Sequence, residues 1–241
     1  MHFSVVIPYR DTPNRRYALD AVINNMWRQT HPPDQIVLAE EDFRPTVYDH
    51  PNIDSYIFVK AKNSAFCKSA AVNAGFEAAI CPAVIIQDAD VVVPYDYVDA
   101  LEGYFRKGFE FVKIGHELQR LDFGESLHYS LHPVDAASVV ANSVHADFPA
   151  GSLAITQEAF LRCGGMDESY VGWGHEDKAF LRVVIDMTKY YIHGESRFVH
   201  LWHPTADRHT GSLERLKKQM KEPPEVIAVR LRRERWCHGD S

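Results

Sequence analysis

Apolar residues fall along this chain in short blocks whose spacing switches between strand and helix. Phe3 to Pro8 is a short β-branched apolar run, the pattern of a buried strand, and Pro8 ends it. Thr12-Pro13 offers a helix N-cap with proline in the first turn. Leu19, Val22, Ile23, Met26 and Trp27 then recur at helical spacing, and His31-Pro32-Pro33 stops the helix. Ile36 to Ala39 predicts a second strand ending in Glu40-Glu41-Asp42, and Tyr56 to Val59 a third. An alanine-rich helix over Phe66 to Ile80 leads into a fourth strand, Ala83 to Gln87.

Further on, Tyr95 to Phe105 predicts a helix and Glu110 to Gly115 a strand. Residues 117–147 have weak periodicity and many polar positions, so they read as a long loop or flap, a feature that is often functional. Leu153 to Ile155 is a short strand, and Thr156 caps a helix through Cys163 that Gly164-Gly165 breaks. Glu176 to Met187 predicts a helix with Phe180, Leu181, Val184 and Ile185 inward. Tyr190 to Ile192 and Phe198-Val199 are strand-like, and Leu213 to Trp236 is helical, charged and interrupted at Pro223-Pro224. The rhythm implies an α/β fold with a mostly parallel sheet flanked by helices. Residues 1–211 are expected to form this domain and residues 212–241 a C-terminal helical extension. Ligands of such sheets gather at the carboxyl ends of the strands. Pro8-Tyr9-Arg10, Glu40-Glu41 and Asp88-Ala89-Asp90 should therefore meet on one rim.

Composition narrows the picture modestly. A chain of 241 residues with net charge −7 lacks the basic balance that a polyanionic partner usually demands, so no nucleic acid is expected. The four cysteines, Cys67, Cys81, Cys163 and Cys237, have no metal-knuckle spacing and read as reduced thiols of a cytoplasmic protein. No apolar run is long enough to cross a bilayer, and the N-terminal run reads as a first strand, not a signal peptide.

The candidate chemistry lies in two acidic motifs. Asp88 and Asp90, two residues apart and leaving a strand, supply hard oxygen donors for a divalent cation that grips a diphosphate. Alone, such a pair is a common solvated turn; its place after a buried strand gives it weight. In Gly172-Trp173-Gly174-His175-Glu176-Asp177, an indole face can stack on a sugar, and glycines let the backbone approach a ligand. A carboxylate at a helix start can accept a proton from a hydroxyl. A plain helix cap would account for the acids but not for Gly-Trp-Gly. His200 and His203 are candidate metal ligands to complete the site begun by Asp90, although a chain with 13 histidines keeps most of them for other work. Lys68 stands near a helix start, able to approach a phosphate or equally to sit on a solvated face. The basic run Arg230 to Arg235 is a candidate for peripheral contact with an anionic membrane, or simply a solvated helix face.

In this order the motifs resemble the GT-A glycosyltransferases, close to family 2, with a second half similar to the β-1,4-galactosyltransferases and chondroitin-type polymerases. Val5 to Arg10 resembles their first strand and nucleotide-binding turn, Ile36 to Glu41 their second strand, Phe66 to Phe76 the segment facing the donor, and Asp88-Ala89-Asp90 their metal motif. Ala150 to Leu153 with Phe160 and Gly164-Gly165 resembles the stretch before the acceptor site, and Gly172 to Asp177 the acceptor and base motif. The match spans residues 3–203.

The resemblance implies a nucleotide-sugar donor, a glycan or other hydroxyl acceptor, and manganese or magnesium as cofactor. Pro8, Arg10, Glu40, Lys68 and Asp88 would bind the donor, with Glu40 at the base. Asp90, His203 and His200 would hold the metal, although some members carry methionine at the His200 position. Trp173, Gly174 and Glu176 would bind the acceptor, and Asp177 would be the general base. His175 departs from the small residue many relatives carry. The implied activity is sugar transfer from a UDP-sugar with inversion. Its rivals are a retaining transferase on the same fold and a silent sugar- or nucleotide-binding module. A nucleotidylyltransferase would need a glycine-rich loop where this chain has Tyr9-Arg10-Asp11-Thr12-Pro13.

Overall fold

The computed structural model describes residues 1–47, 50–146, 148–172, 174–204 and 211–236. Strand β1 (Phe3–Tyr9) leads to helix α1 (Arg16–Trp27), then β2 (Gln35–Asp42), β3 (Ser55–Lys60), α2 (Lys68–Ala78) and β4 (Ala83–Gln87). A two-residue strand β5 (Val91–Val92) precedes α3 (Tyr97–Arg106), the long β6 (Phe111–Arg120), α4 (Phe123–Leu131) and β7 (Ser143–Ala146). The remaining elements are β8 (Ser152–Thr156), α5 (Gln157–Cys163), α6 (Glu176–Met187), β9 (Tyr190–His200), α7 (Ser212–Gln219) and α8 (Pro224–Trp236).

The sheet runs β3-β2-β1-β4-β8-β6-β9-β5, with β7 paired to β6. The first four strands are parallel, as the sequence rhythm implies. The second half is mixed: β8 is antiparallel to both β4 and β6, β9 is parallel to β6, and β5 is antiparallel to β9. The cause is the path of the chain. After β6 the chain reaches β8 at the carboxyl rim, where Ser152 pairs with Gln87 at the end of β4. β8 must then run down the sheet against its neighbours.

Side chains alternate across the strands. Val5 and Ile7 of β1 and Ile85 of β4 pack with Leu19 and Ile23 of α1, while Val6, Val84 and Ile86 pack on the other face with Val72 and Phe76 of α2. A strand covered on both faces must be apolar at nearly every position, which is why β1, β2 and β4 read as continuous runs. Each large side chain so buried contributes about 1.5–3 kcal/mol.

Three expectations are corrected. The first helix starts at Arg16, not at Thr12: Asn14 adopts a left-handed φ of 63°, and Thr12 instead closes a turn by accepting from the Arg15 amide at 3.1 Å. Residues 117–147 are not mainly loop. β6 continues to Arg120, and α4 opens on a capping box in which Asp122 and Glu125 each accept the other's amide hydrogen at 2.8 Å. β9 is one strand of 11 residues whose register against β6 shifts around Gly115, so its pattern reads as two fragments.

At the C-terminus, Ile227, Ala228 and Leu231 of α8 join the second core beside Phe160 and Phe180. Gly164, at φ 88°, ends α5 and admits α8: a Cβ there would lie 2.8 Å from the Ala228 carbonyl oxygen. Among the described residues no helix is long and apolar enough to cross a membrane.

Candidate active site

β4 ends at Gln87, and the chain crosses the carboxyl rim through Asp88, Ala89 and Asp90 before β5 begins. The pairing of Val91 with His200, and the Leu201 amide donating to the Asp90 carbonyl at 2.8 Å, bring the end of β9 against this turn. One Asp90 oxygen lies 3.2 Å from His203 Nε2, and the other 4.0 Å from His200 Nε2. The three ligand atoms lie within 4.8 Å of one another.

The tautomer of His203 is fixed by its neighbour. Its Nδ1 lies 2.8 Å from the Pro204 carbonyl oxygen, which can only accept, so Nδ1 carries a proton and Nε2 is the nitrogen that faces Asp90. Either a proton on Nε2 or a metal cation bound there satisfies this pairing. A carboxylate with two imidazoles suits a transition metal such as manganese better than magnesium, which prefers an all-oxygen shell. The donor set therefore fits a divalent metal.

Arg15 also pairs with Asp90. Burial disfavours the charged carboxylate of Asp90, but Arg15, His200 and His203 outweigh it and hold this group well below the usual range. Burial lowers the pKa of His200 against the pull of Asp90, which favours the neutral, ligating imidazole.

A second cluster grows from the same turn. Lys68, the first residue of α2, places Nζ 2.7 Å from Asp88 Oδ1 and 3.0 and 3.2 Å from the two oxygens of Asp177. Asp88 Oδ2 accepts from the Gly151 amide at 3.1 Å, clamping the entry to β8. Asp177 stands in the first turn of α6, and the Gly172 amide ties the preceding loop to the Phe66 carbonyl at 2.9 Å. The Gly174 amide donates to Glu176 at 3.2 Å. Gly172, Gly174 and His175 all have positive φ, at 79°, 117° and 76°. The first two are free to do so; His175 is strained there. Trp173 lies outside the described residues.

Burial pushes the Asp177 carboxyl up, Lys68 pulls it back, Glu176 and Asp88 add to the rise, and the balance leaves it at about 7. Burial works against the charge on Lys68, but Asp177 and Asp88 more than restore it, so its pKa is raised.

The structure thus brings Lys68, Asp88, Asp90, Asp177, His200 and His203 to one rim, with Gly174 and Glu176 beside them. Glu40 is fully buried. Its carboxylate accepts from the Thr46 and Val47 amides and from the hydroxyls of Thr46 and Tyr56, so it organises the loop after β2. Pro8 is buried in β1, opposite Ala39. Arg10 is buried too: it pairs with Glu41, donates to the Ser64 carbonyl at 2.8 Å, and lies 5.7 Å from the rings of both Phe43 and Phe66. Glu41 in turn accepts from the Cys67 amide at 3.2 Å, so Arg10 and Glu41 brace the segment that carries Lys68. Sequence reasoning missed Arg15, and it put Glu41 on the rim without giving it a role. The signal for Glu41 was a second acid at the end of β2; for Arg15 there was none beyond a charge near the first strand.

A family model described as the N-terminal domain of galactosyltransferase matches residues 138–200, from the turn before β7 to the end of β9. Among solved structures, S. aureus TarS aligns with a TM-score of 0.62 at 11% identity, over 98% of this chain and 44% of its own. The fold is that of a GT-A glycosyltransferase. A shorter S. aureus TarS chain, solved in complex with UDP, aligns at 0.57 and 11% identity over 97% of this chain and 70% of its own. The catalytic domain of Drosophila β1,4-galactosyltransferase 7, solved in complex with xylobiose, aligns at 0.55 and 16% identity over 92% and 82%. No curated protein matches the chain in sequence. The chain spans less than half of the first TarS structure. The matched segment is that of a galactosyltransferase family model, and the fold is shared with the two glycosyltransferases.

Proposed function

We propose that this chain moves a sugar from a UDP-type nucleotide-diphospho-sugar to an acceptor hydroxyl, with a divalent metal and with inversion. One observation carries the reading. The three-residue turn after β4 faces two ways, Asp90 toward His200 and His203 and Asp88 toward Lys68 and Asp177. A leaving diphosphate at the first cluster and a base in the second would then lie side by side. The UDP in the TarS structure supports the donor class, and the xylobiose in the Drosophila enzyme supports a glycan acceptor.

In this mechanism Asp177 takes the proton of the acceptor hydroxyl while that oxygen attacks the anomeric carbon. The bond from that carbon to the diphosphate breaks on the opposite face, giving an inverted glycoside and the free nucleoside diphosphate. A carboxyl poised at about 7 is tuned for this proton transfer at neutral pH. Gly174 and Glu176 would face the acceptor, and Asp88 the donor. A divalent cation held by Asp90, His200 and His203, manganese foremost, would offset the charge growing on the departing diphosphate.

The test is nucleotide release from a panel of UDP-sugars, with and without manganese and with and without glycan acceptors. Release that requires both metal and acceptor, with an inverted product by NMR, is expected. Nucleotide binding without release under any condition would mark a silent binding module. A retained anomeric configuration would contradict the single displacement.

A further inference from the structure

Lys68 occupies an unusual position. Its side chain is 13% exposed, Asp177's is 16% and Asp88's 24%, so the three form a nearly closed ion cluster. An ammonium group has three N–H donors. Here one faces Asp88 Oδ1 at 2.7 Å, and the other two face the Asp177 oxygens at 3.0 and 3.2 Å. All three are committed to protein carboxylates, so any contact with a donor phosphate would have to displace one of them.

The charges around Asp177 say what this commitment does. Asp88 faces it from the turn after β4, and Glu176 precedes it on α6. Both are acids. From α7, Arg215 faces the ring of Tyr170 instead, at 5.8 Å. Lys68 is the cation that this set of acids shares.

We propose that Lys68 is a positioning residue for the base: it fixes the orientation of Asp177 and favours its ionised form, and so ties the donor-side acid Asp88 to the acceptor-side acid Asp177. This rests on the reading of Asp177 as the base. Removing the ammonium would leave Asp88, Glu176 and Asp177 repelling one another in a poorly solvated pocket. Asp177 would then hold its proton to higher pH and lose its fixed rotamer. The direction agrees with the opposing pulls on Asp177, where Lys68 lowers its pKa and the two acids raise it.

The experiment compares the pH dependence of kcat, at saturating donor, for wild type, Lys68→Met, Lys68→Arg and Asp88→Asn, with UDP affinity measured by calorimetry in parallel. Lys68→Met should move the acidic limb up by about one pH unit or more, with activity recovering at high pH, while UDP affinity changes less than about threefold. Lys68→Arg should keep the limb near its wild-type position. Asp88→Asn keeps the Lys68–Asp177 pair and should move the limb the other way, so the idea stays testable even if Lys68→Met fails to fold. An unmoved limb in Lys68→Met overturns the proposal, whether or not UDP affinity falls; so does an unmoved limb in Asp88→Asn. The base assignment is separated by Asp177→Asn in the same assay. If that variant is inactive while the limb of Lys68→Met stays in place, this inference alone falls; if it turns over normally, both fall.

Discussion

Asp90 is buried and Asp177 half-buried on the same rim, and their surroundings drive them apart. Asp90 sits among Arg15, His200 and His203, an excess of positive or ligating groups. Asp177 shares the single ammonium of Lys68 with Asp88 and lies next to Glu176. The first is held ionised far below the usual range; the second is pushed up to about 7. The difference lies in the charge count around each group, not in its depth. An acid that stays charged is suited to hold a cation, and an acid poised near neutrality is suited to trade a proton.

The comparison can be broken at either end. Asp90→Asn or His203→Ala should weaken manganese binding by about 100-fold or more, read by calorimetry or electron paramagnetic resonance. Unchanged metal affinity would empty the first pocket of its role. Arg15→Ala should tighten manganese binding, by about tenfold, because the guanidinium no longer competes for Asp90. A weaker metal would make Arg15 a support and not a competitor.

The second pocket carries a stability signature. The folded pKa of Asp177 lies above its ordinary 3.8, so its contribution is fully present below that value and is lost as pH rises through about 7. In the metal-free protein, Asp177→Asn should therefore gain on wild type between about pH 4 and pH 8, by roughly 1–3 kcal/mol in urea unfolding. A difference that shrinks with rising pH would contradict the sign. The smallest effect is expected at His175. Relief of its left-handed backbone in His175→Gly should raise stability by less than about 1 kcal/mol, net of added chain entropy.

Legibility in the sequence followed the physics of burial. β1, β2 and β4 were plain because strands covered on both faces are written as unbroken apolar runs. α4 was obscured because Phe123, Leu127 and Leu131 recur every four residues yet stay 43%, 41% and 68% exposed, among polar residues that blur the period. Its one clean signal was the Asp122–Glu125 capping box. β5 has two residues, too few for any period. In the site, Asp88, Asp90 and Asp177 stood out because their motifs carry chemistry within a few residues. Arg15 and Glu41 did not, since their roles come from pairings across 75 and 31 positions. Glu40 and Glu41 are neighbours on a strand and so face opposite ways, one holding the loop after β2 and the other Arg10. Nothing local tells which acid faces which way.

The most direct test is one variant read two ways. In Asp177→Asn, turnover should fall by about a thousandfold or more while affinity for UDP and manganese stays within about threefold of wild type. The leaving-group pocket would then be intact and the proton acceptor gone. Turnover near the wild-type rate, or loss of turnover and nucleotide affinity together, would contradict the division of labour between the two pockets.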